Sequence, residues 1–343
     1  MKIHLAGILA VGMMTSTALL HAQGYNITDL GAVHGDNMSS AEGLNSAGQA
    51  AGTSSNSTTG IATLFSGGTA ISLGTLGASD SSFGEAVNAS DEVAGYDMVG
   101  SSSSAVAHAF LYTNGKMTDI HSASLFPYGT LAVGINLSAE VVGYGWINTV
   151  STHPFLYSGG RMIDLGTLGG TDASALAIND SGTVVGRSLT ASGIQHAFLY
   201  SNGKMTDLGA PPGANSSGAL AINRAGQIAG YIGVNNSSHA ALYSQGVWTD
   251  LGVVPGTIGN QAAGINNSGQ IVGSALFAPV PYKSARHIGF VIQNGALVDL
   301  NTLIPTNSGF NILGAVAIND SGDILCNART SSGLLHGVLL TPK

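Results

Sequence analysis

The chain has 343 residues, 8% of them charged against about 25% in an ordinary soluble domain, and its 10 Lys+Arg against 18 Asp+Glu give a formal net charge of −8. That balance leaves no basic footprint for nucleic acid. One cysteine excludes an internal disulfide framework or a Cys-cluster zinc site, and 44% apolar residues is too many for a disordered chain.

Met1, Lys2 and Ile3 lead into a mostly apolar stretch from Leu5 to Leu20, and Leu20-His21-Ala22 offers a cleavage site before Gln23. Residues 1–22 therefore read as a secretory signal peptide cut after Ala22. A transmembrane anchor is the competing reading; the stretch falls short of the roughly 20 apolar residues that span a bilayer. The expectation is an exported protein, secreted or periplasmic, whose residues 23–343 form one domain without membrane insertion. Tyr25 to Leu30 then reads as a lone strand.

From there one phrase recurs: small-Ile-Asn-x-Ser-Gly-x-Val-Val-Gly, around Asn45, Asn88, Asn136, Asn179, Asn223, Asn266 and Asn319, at spacings of 43, 48, 43, 44, 43 and 53 residues. A second phrase of the His-Ala-Phe-Leu-Tyr type follows at His108, His153, His196, His239, His287 and His336, with Ile61 in the first copy. A third, Met-Thr-Asp-Leu-Gly, places Asp119, Asp164, Asp207, Asp250 and Asp299, with Ser72 in the first copy. A period of roughly 40–50 residues is that of propeller blades.

The clearest unit predicts four strands: Ser174 to Asn179, Thr183 to Ser188, His196 to Ser201 and Lys204 to Leu208. Asp180-Ser181-Gly182 and Asn202-Gly203 are turn sequences. Strands one and two, rich in Ala, Gly and Val, suit a crowded centre; strands three and four carry larger side chains for a wider periphery. The last repeat stops at Thr341-Pro342-Lys343 without its Asp-Leu strand, and Tyr25 to Leu30 supplies one from the other end. The prediction is an all-β, seven-bladed β-propeller of four-stranded antiparallel blades, closed by the N-terminal strand. An open solenoid with polar caps is the alternative.

The phrases, intact as His108-Ala109-Phe110 and His196-Ala197-Phe198 and altered as His153-Pro154-Phe155, His239-Ala240-Ala241, His287-Ile288-Gly289 and His336-Gly337-Val338, resemble the extracellular HAF repeat family. The resemblance covers essentially the whole mature chain. It implies export and a repeat fold, and it carries no catalytic residues over.

The recurrent His and Asn positions are read as structural. One His per blade, on the third strand, does not converge on an ion whose ligands must lie about 2 Å away. The expected role is packing between blades with the ring nitrogens hydrogen-bonded. The recurrent Asp is expected to accept hydrogen bonds near a strand end. Asn136, Asn179, Asn223, Asn266 and Asn319 belong to turns. No nucleophile elbow, His-Glu-x-x-His or phosphate loop occurs, and no cofactor or metal is implied. Only four glutamates exist, Glu42, Glu85, Glu92 and Glu140.

Ligand-binding candidates are sought on the second face of the ring, which carries the two-to-three loops and the blade connections, because rigid scaffolds display binding residues on such loops. The longest departure from the repeat, Ala275 to Arg286, offers Phe277, Tyr282, Lys283 and Arg286. Trp146 and Tyr231 are expected near the same rim, with Tyr96, Asp97, His121 and Tyr128 as weaker candidates. The function expected is a binding scaffold for a glycan or an extracellular protein. The alternatives are a polysaccharide hydrolase or lyase at the channel mouth, for which His34, Asp36, Asp80, Asp97 and Asp172 are the loop acids and histidines, and a structural surface protein without a discrete ligand.

Overall fold

The computed structural model describes residues 24–77, 81–100, 104–279 and 286–343. Residues 1–22, read as a signal peptide, lie outside the described residues, as do Asp80, Tyr282 and Lys283.

The described residues are all β apart from one short 3-10 turn, Leu300–Thr302. After β1 (Tyr25–Asp29) comes a four-stranded sheet of β2 (Met38–Leu44), β3 (Ala50–Ser55), β4 (Gly60–Ser66) and β5 (Thr69–Gly74). The same arrangement follows in β6 (Ser82–Val87), β7 (Val93–Val99), β8 (Val106–Thr113) and β9 (Lys116–Asp119). A third sheet has β10 (Thr130–Ile135), β11 (Val141–Trp146), β12 (Thr152–Ser158) and β13 (Arg161–Asp164). A fourth has β14 (Gly169–Ile178), β15 (Val184–Thr190), β16 (Gln195–Ser201) and β17 (Lys204–Asp207). The fifth set, β18 (Ser216–Ile222), β19 (Ile228–Val234), β20 (Ser237–Ser244) and β21 (Val247–Asp250), touches the sixth through a single parallel pairing, Ser238 with Gly259. The sixth is β22 (Thr257–Ile265), β23 (Ile271–Phe277), β24 (His287–Gln293) and β25 (Ala296–Asp299). The last sheet is β26 (Phe310–Ile318), β27 (Ile324–Thr330) and β28 (Leu335–Pro342), and β1 is its fourth strand, antiparallel to β28 from Tyr25↔Pro342 to Asp29↔Val338.

The third-to-fourth-strand hairpins follow their turn chemistry. Asn202 and Gly203 both take positive φ (52° and 76°), which matches the right-handed twist of the flanking strands. Phe65, Phe110, Phe155, Phe198 and Phe290, one each from β4, β8, β12, β16 and β24, are buried in the core. Burying a large aromatic contributes roughly 1.5–3 kcal/mol, so these rings fill the space that the small inner residues leave.

The first strands pack on one another in sequence, β2 on β6, β6 on β10, β10 on β14, β14 on β18, β18 on β22, β22 on β26, and β26 on β2. Within the sheets, the second strand lies close against the first where it carries no side chain. A Cβ on Gly143 would sit 1.9 Å from the Leu131 carbonyl oxygen, and one on Gly186 2.0 Å from that of Ser174. Sheet seven carries buried Cys326 at this position, and an additional register shift between Ile312 and Gly314 accompanies it on the facing strand. Burial pushes the Cys326 thiol pKa up, away from the reactive thiolate.

Every first strand also has a β-bulge, with register shifts at 41/43, 84/86, 132/134, 175/177, 219/221, 262/264 and 315/317. The extra residues are Glu42, Glu85, Val133, Leu176, Leu220, Ala263 and Val316, and none of them is buried. A bulge re-aims its side chain out of the pleat. The two acids therefore stand at the same place in adjacent sheets, where the other sheets present apolar groups.

Candidate functional site

At the end of the inner strands that carries the one-to-two turns, the repeated asparagines saturate one another. In each turn the side-chain oxygen accepts backbone N–H groups, as Asn136 does from Ser138 and Glu140 at 3.0 Å each. The side-chain amide then donates to the main-chain oxygen of the next asparagine: Asn45 to Asn88, Asn88 to Asn136, Asn136 to Asn179, Asn179 to Asn223, Asn223 to Asn266, Asn266 to Asn319, and Asn319 to Asn45, at 3.0–3.3 Å. Six of the seven amides also donate to the side chain four residues on: Gln49, Glu92, Glu140, Gln227, Gln270 or Asp323. A depression of about 250 Å³ at this end is lined by the asparagines and by Leu44, Val87, Ile135, Ile178, Ile222, Ile265 and Ile318. The asparagine amides are already engaged; at the rim Arg224 approaches Asp180 at 3.6 Å and Asn267 donates to Asp320 at 2.8 Å.

The recurrent histidines sit further out, each on the Asp of its own sheet's outer strand. Nδ1 of His108 lies 2.8 Å from Asp119, of His153 2.9 Å from Asp164, of His196 2.9 Å from Asp207, and of His239 2.8 Å from Asp250. His336 finds Asp29 on β1 at 2.9 Å. The same carboxylates accept the backbone N–H two residues on, as Asp207 does from Gly209 at 2.7 Å, which fixes the exit turn. The fixed geometry is thus a pairing within one sheet. His287 departs from it: it is exposed, and Arg286 instead approaches Asp299, at 3.5 Å. Among the described residues no group of three or more His, Cys, Asp or Glu is arranged to hold a metal ion.

The loop-face candidates are spread over several sheets. Tyr231, expected at the rim, is buried, and its hydroxyl accepts a hydrogen bond from Gln195 Nε2 at 2.7 Å. Its ring lies where a side chain on Gly218 would be; the absence of that side chain lets the phenol fold inward, and this corrects its reading as a rim residue. Phe277 is half-buried against the sixth-sheet core with the Arg286 guanidinium 4.7 Å above its ring. Trp146 is on β11, in the third sheet, with its ring edge-on to Tyr144 at 5.6 Å. Asp97 is buried and accepts from the Leu76 N–H at 2.7 Å. His121 stacks on His108 at 4.1 Å; burial first and then the His108 charge lower its pKa, against the pull of Asp119. Exposed Tyr128 lies beside Trp146, its backbone N–H donating to the Trp146 carbonyl at 3.4 Å. Exposed His34 and half-buried Asp36, which accepts from Asn56 at 2.9 Å, stand before the first sheet.

What the tertiary structure does assemble is a cavity of about 410 Å³ between the third and fourth sheets, lined by Tyr144, Thr152, Asp172, Ala173, Ser174, Arg187, Ser188, Leu189 and Gln195. It lies toward the strand ends opposite the asparagine turns, near the Thr190–Ile194 turn. The volume is within the roughly 300–1,000 Å³ of small-molecule sites. Asp172 is spoken for, accepting from the Thr152 N–H at 3.3 Å and from the Thr171 hydroxyl at 2.6 Å. Ser188 is buried, accepting from the Leu168 N–H at 2.9 Å.

The inner bulge acids border this region electrostatically. Desolvation by the surrounding strands pushes the Glu42 carboxyl up to about 7, although the side chain keeps access to solvent. It pushes Glu85 up to about 8, with the Glu42 charge adding to the effect. Burial raises the Tyr144 phenol pKa, Glu85 raises it further, and Arg187 opposes them. Burial likewise lifts the Tyr96 phenol to about 12, assisted by Glu85.

Sequence reasoning counted Glu42 and Glu85 without giving them a place, and missed Tyr144, Arg187 and Gln195. A usable signal existed. Three residues before the repeated Asn stands Glu, Glu, Val, Leu, Leu, Ala, Val; eight after it stands Thr53, Tyr96, Tyr144, Arg187, Tyr231, Ser274, Asn327. A scaffold position that varies among otherwise matching repeats is where local function departs from the common structural need.

No protein-family model matches the chain, and no curated protein matches its sequence. Among solved structures it is similar to the β-propeller domain of the Trilobed protease from Pyrococcus furiosus, a domain described as having an open velcro topology, with a TM-score of 0.53, 10% identity, and 90% of this chain matched to 95% of that one. It is also similar to a prolyl endopeptidase (TM-score 0.55, 10% identity, 94% of this chain) and to the Pyrococcus horikoshii acylaminoacyl peptidase (TM-score 0.51, 11% identity, 85% of this chain). The chain spans about half the length of these two, 51% and 50% respectively. The likeness is one of fold: an all-β array of four-stranded antiparallel sheets with β-propeller neighbours.

Proposed function

We propose that the chain is an exported seven-bladed propeller, freed of residues 1–22, that acts as a binding scaffold and holds a glycan in the cavity between its third and fourth sheets. The pairing of β1 with β28 and the return of Asn319 to Asn45 support a ring closed by the N-terminal strand. The HAF-type phrases support export. The observation that carries the binding role is the contrast within the scaffold. The repeated polar side chains are satisfied internally, whereas the cavity gathers non-repeated groups, Tyr144, Ser174, Arg187 and Gln195. An aromatic face beside several hydroxyl, amide and charged groups is a chemistry that sugar rings use.

A broad glycan array probed with residues 23–343 tests this, with Ser174→Trp as a variant that fills the cavity. Saturable binding that the variant loses, at an unchanged melting temperature, is the expected result. Binding that persists in Ser174→Trp moves the ligand to another surface, and an array without any bound glycan rejects the glycan reading.

One observation favours a second reading, action on a polysaccharide at the channel mouth. Glu42 and Glu85 occupy equivalent bulges of adjacent sheets, and the carboxyl of Glu85 is raised to about 8, so it is protonated at neutral pH as a general acid must be. Release of reducing ends from polysaccharides, abolished in Glu85→Gln, would favour it.

A further inference from the structure

Arg187 stands out among the cavity residues. It is exposed on β15, and its side chain forms no ion pair and no hydrogen bond with any described residue. Arg224 and Arg286, by contrast, approach Asp180 at 3.6 Å and Asp299 at 3.5 Å, and Arg329 donates to the Gly333 carbonyl at 2.7 Å. Asp172 lines the same cavity and does not pair with Arg187; its oxygens accept from Thr152 and Thr171. The guanidinium therefore offers its planar fork of donors, unspent, into a cavity of ligand size.

Its neighbours there are also unspent. The hydroxyls of Tyr144 and Ser174 make no hydrogen bond to a described residue. Gln195 commits its amide nitrogen to Tyr231 and leaves its carbonyl oxygen free. A guanidinium, two hydroxyls and an amide oxygen around one aromatic edge match a sugar ring that bears a carboxylate. The acid group takes the two-pronged Arg contact, which is charge-assisted and directional, and the ring hydroxyls meet the Tyr, Ser and Gln groups.

We propose that this cavity binds carboxylate-bearing saccharides, uronic- or sialic-acid residues, with Arg187 as the group that recognises the acid. The proposal rests on the glycan-binding reading and narrows it. Glu85 does not oppose it at neutral pH, because its raised pKa keeps it protonated.

The test uses residues 23–343 on an array that pairs uronate- and sialate-terminated oligosaccharides with their neutral counterparts of the same linkage. Titration calorimetry on the best pair then compares the native chain with Arg187→Met and Arg187→Lys. Expected is at least tenfold preference for the acidic member. That preference should vanish in Arg187→Met and return in part in Arg187→Lys, and the acid's affinity should fall steeply with added salt. Arg187 is solvent-facing, so the variants should melt as the native chain does. Equal affinity for acidic and neutral members, or an acid preference that survives Arg187→Met, overturns the proposal while leaving glycan binding intact. No binding to any member overturns both.

Discussion

The two ends of the inner strands are built on opposite terms. At the turn end, Asn136 accepts two backbone N–H groups and donates both to Glu140 and to the Asn179 carbonyl, and the same pattern passes from repeat to repeat until it returns to its start. At the far end, between sheets three and four, Tyr144, Ser174 and Arg187 line a cavity, and none of their side chains hydrogen-bonds to a described residue. Repetition serves the first end, since identical residues meet identical neighbours and every polar group finds a partner. It cannot serve the second, because a single site needs different groups at one place. The stable end and the free end of the same strands therefore have different sequence signatures, strict recurrence and local departure.

That contrast can be broken most severely at the seam. Replacing Tyr25 to Leu30 with a Gly/Ser linker removes the buried Tyr25 and Leu30 and leaves β28 an open edge. A sharp fall in melting temperature is expected, and an unchanged melt would reject closure by β1.

Next comes the circuit itself. Asn136→Ala removes two acceptor contacts and two donor contacts from a buried side chain. Unpaired buried groups cost about 1–3 kcal/mol each, so urea unfolding should register a loss of that order or more. Arg187→Met should register none.

pH separates the bulge acids from the rest. The folded pKa of Glu85, about 8, lies above its ordinary value of 4.5, so the folded state holds the proton more tightly than the unfolded chain. The stability this provides is complete below about pH 4.5 and declines as pH rises through about 8. Glu85→Gln stays neutral. Its melting temperature should match the native one near pH 4.5 and exceed it increasingly up to pH 8.5; parallel curves would refute the raised carboxyl.

Smaller effects sharpen the comparison within the repeats. His196→Gln should lose about 1 kcal/mol or less, the scale of a partly exposed ion pair, whereas His287→Gln, which has no such pair, should match the native chain in the same denaturant titration. Ala139 adopts φ 56°, where five of the other repeats carry glycine. A left-handed alanine costs roughly 1–2 kcal/mol, and Ala139→Gly should return up to about 1 kcal/mol after the added unfolded-state entropy of glycine is discounted.

Much of the fold was legible in the residues because it repeats. The expected strand Thr183 to Ser188 is β15 at Val184–Thr190, and the expected Lys204 to Leu208 is β17 at Lys204–Asp207. Asn202-Gly203 announced a turn by its chemistry. The partner of Tyr25 to Leu30 followed from a strand missing at one end and spare at the other. The site was less legible. Phe277, Tyr231 and Trp146 looked alike as loop-face aromatics. The missing side chain at Gly218 lets Tyr231 fold inward, Phe277 packs on the sixth-sheet core, and Trp146 stands edge-on to Tyr144.

The sequence by itself determined the all-β class, the four strands per unit, the turn positions and the lone N-terminal strand. Those depend on local conformational preference and on a pattern repeated often enough to be read against itself. Only the tertiary structure decided which departures from that pattern meet. Tyr144 and Arg187 are 43 residues apart in the chain; they share a cavity because adjacent sheets pack side by side. Bulges re-aim Glu42 and Glu85 out of the strand pleat, a displacement of register that no alternation of polar and apolar residues announces.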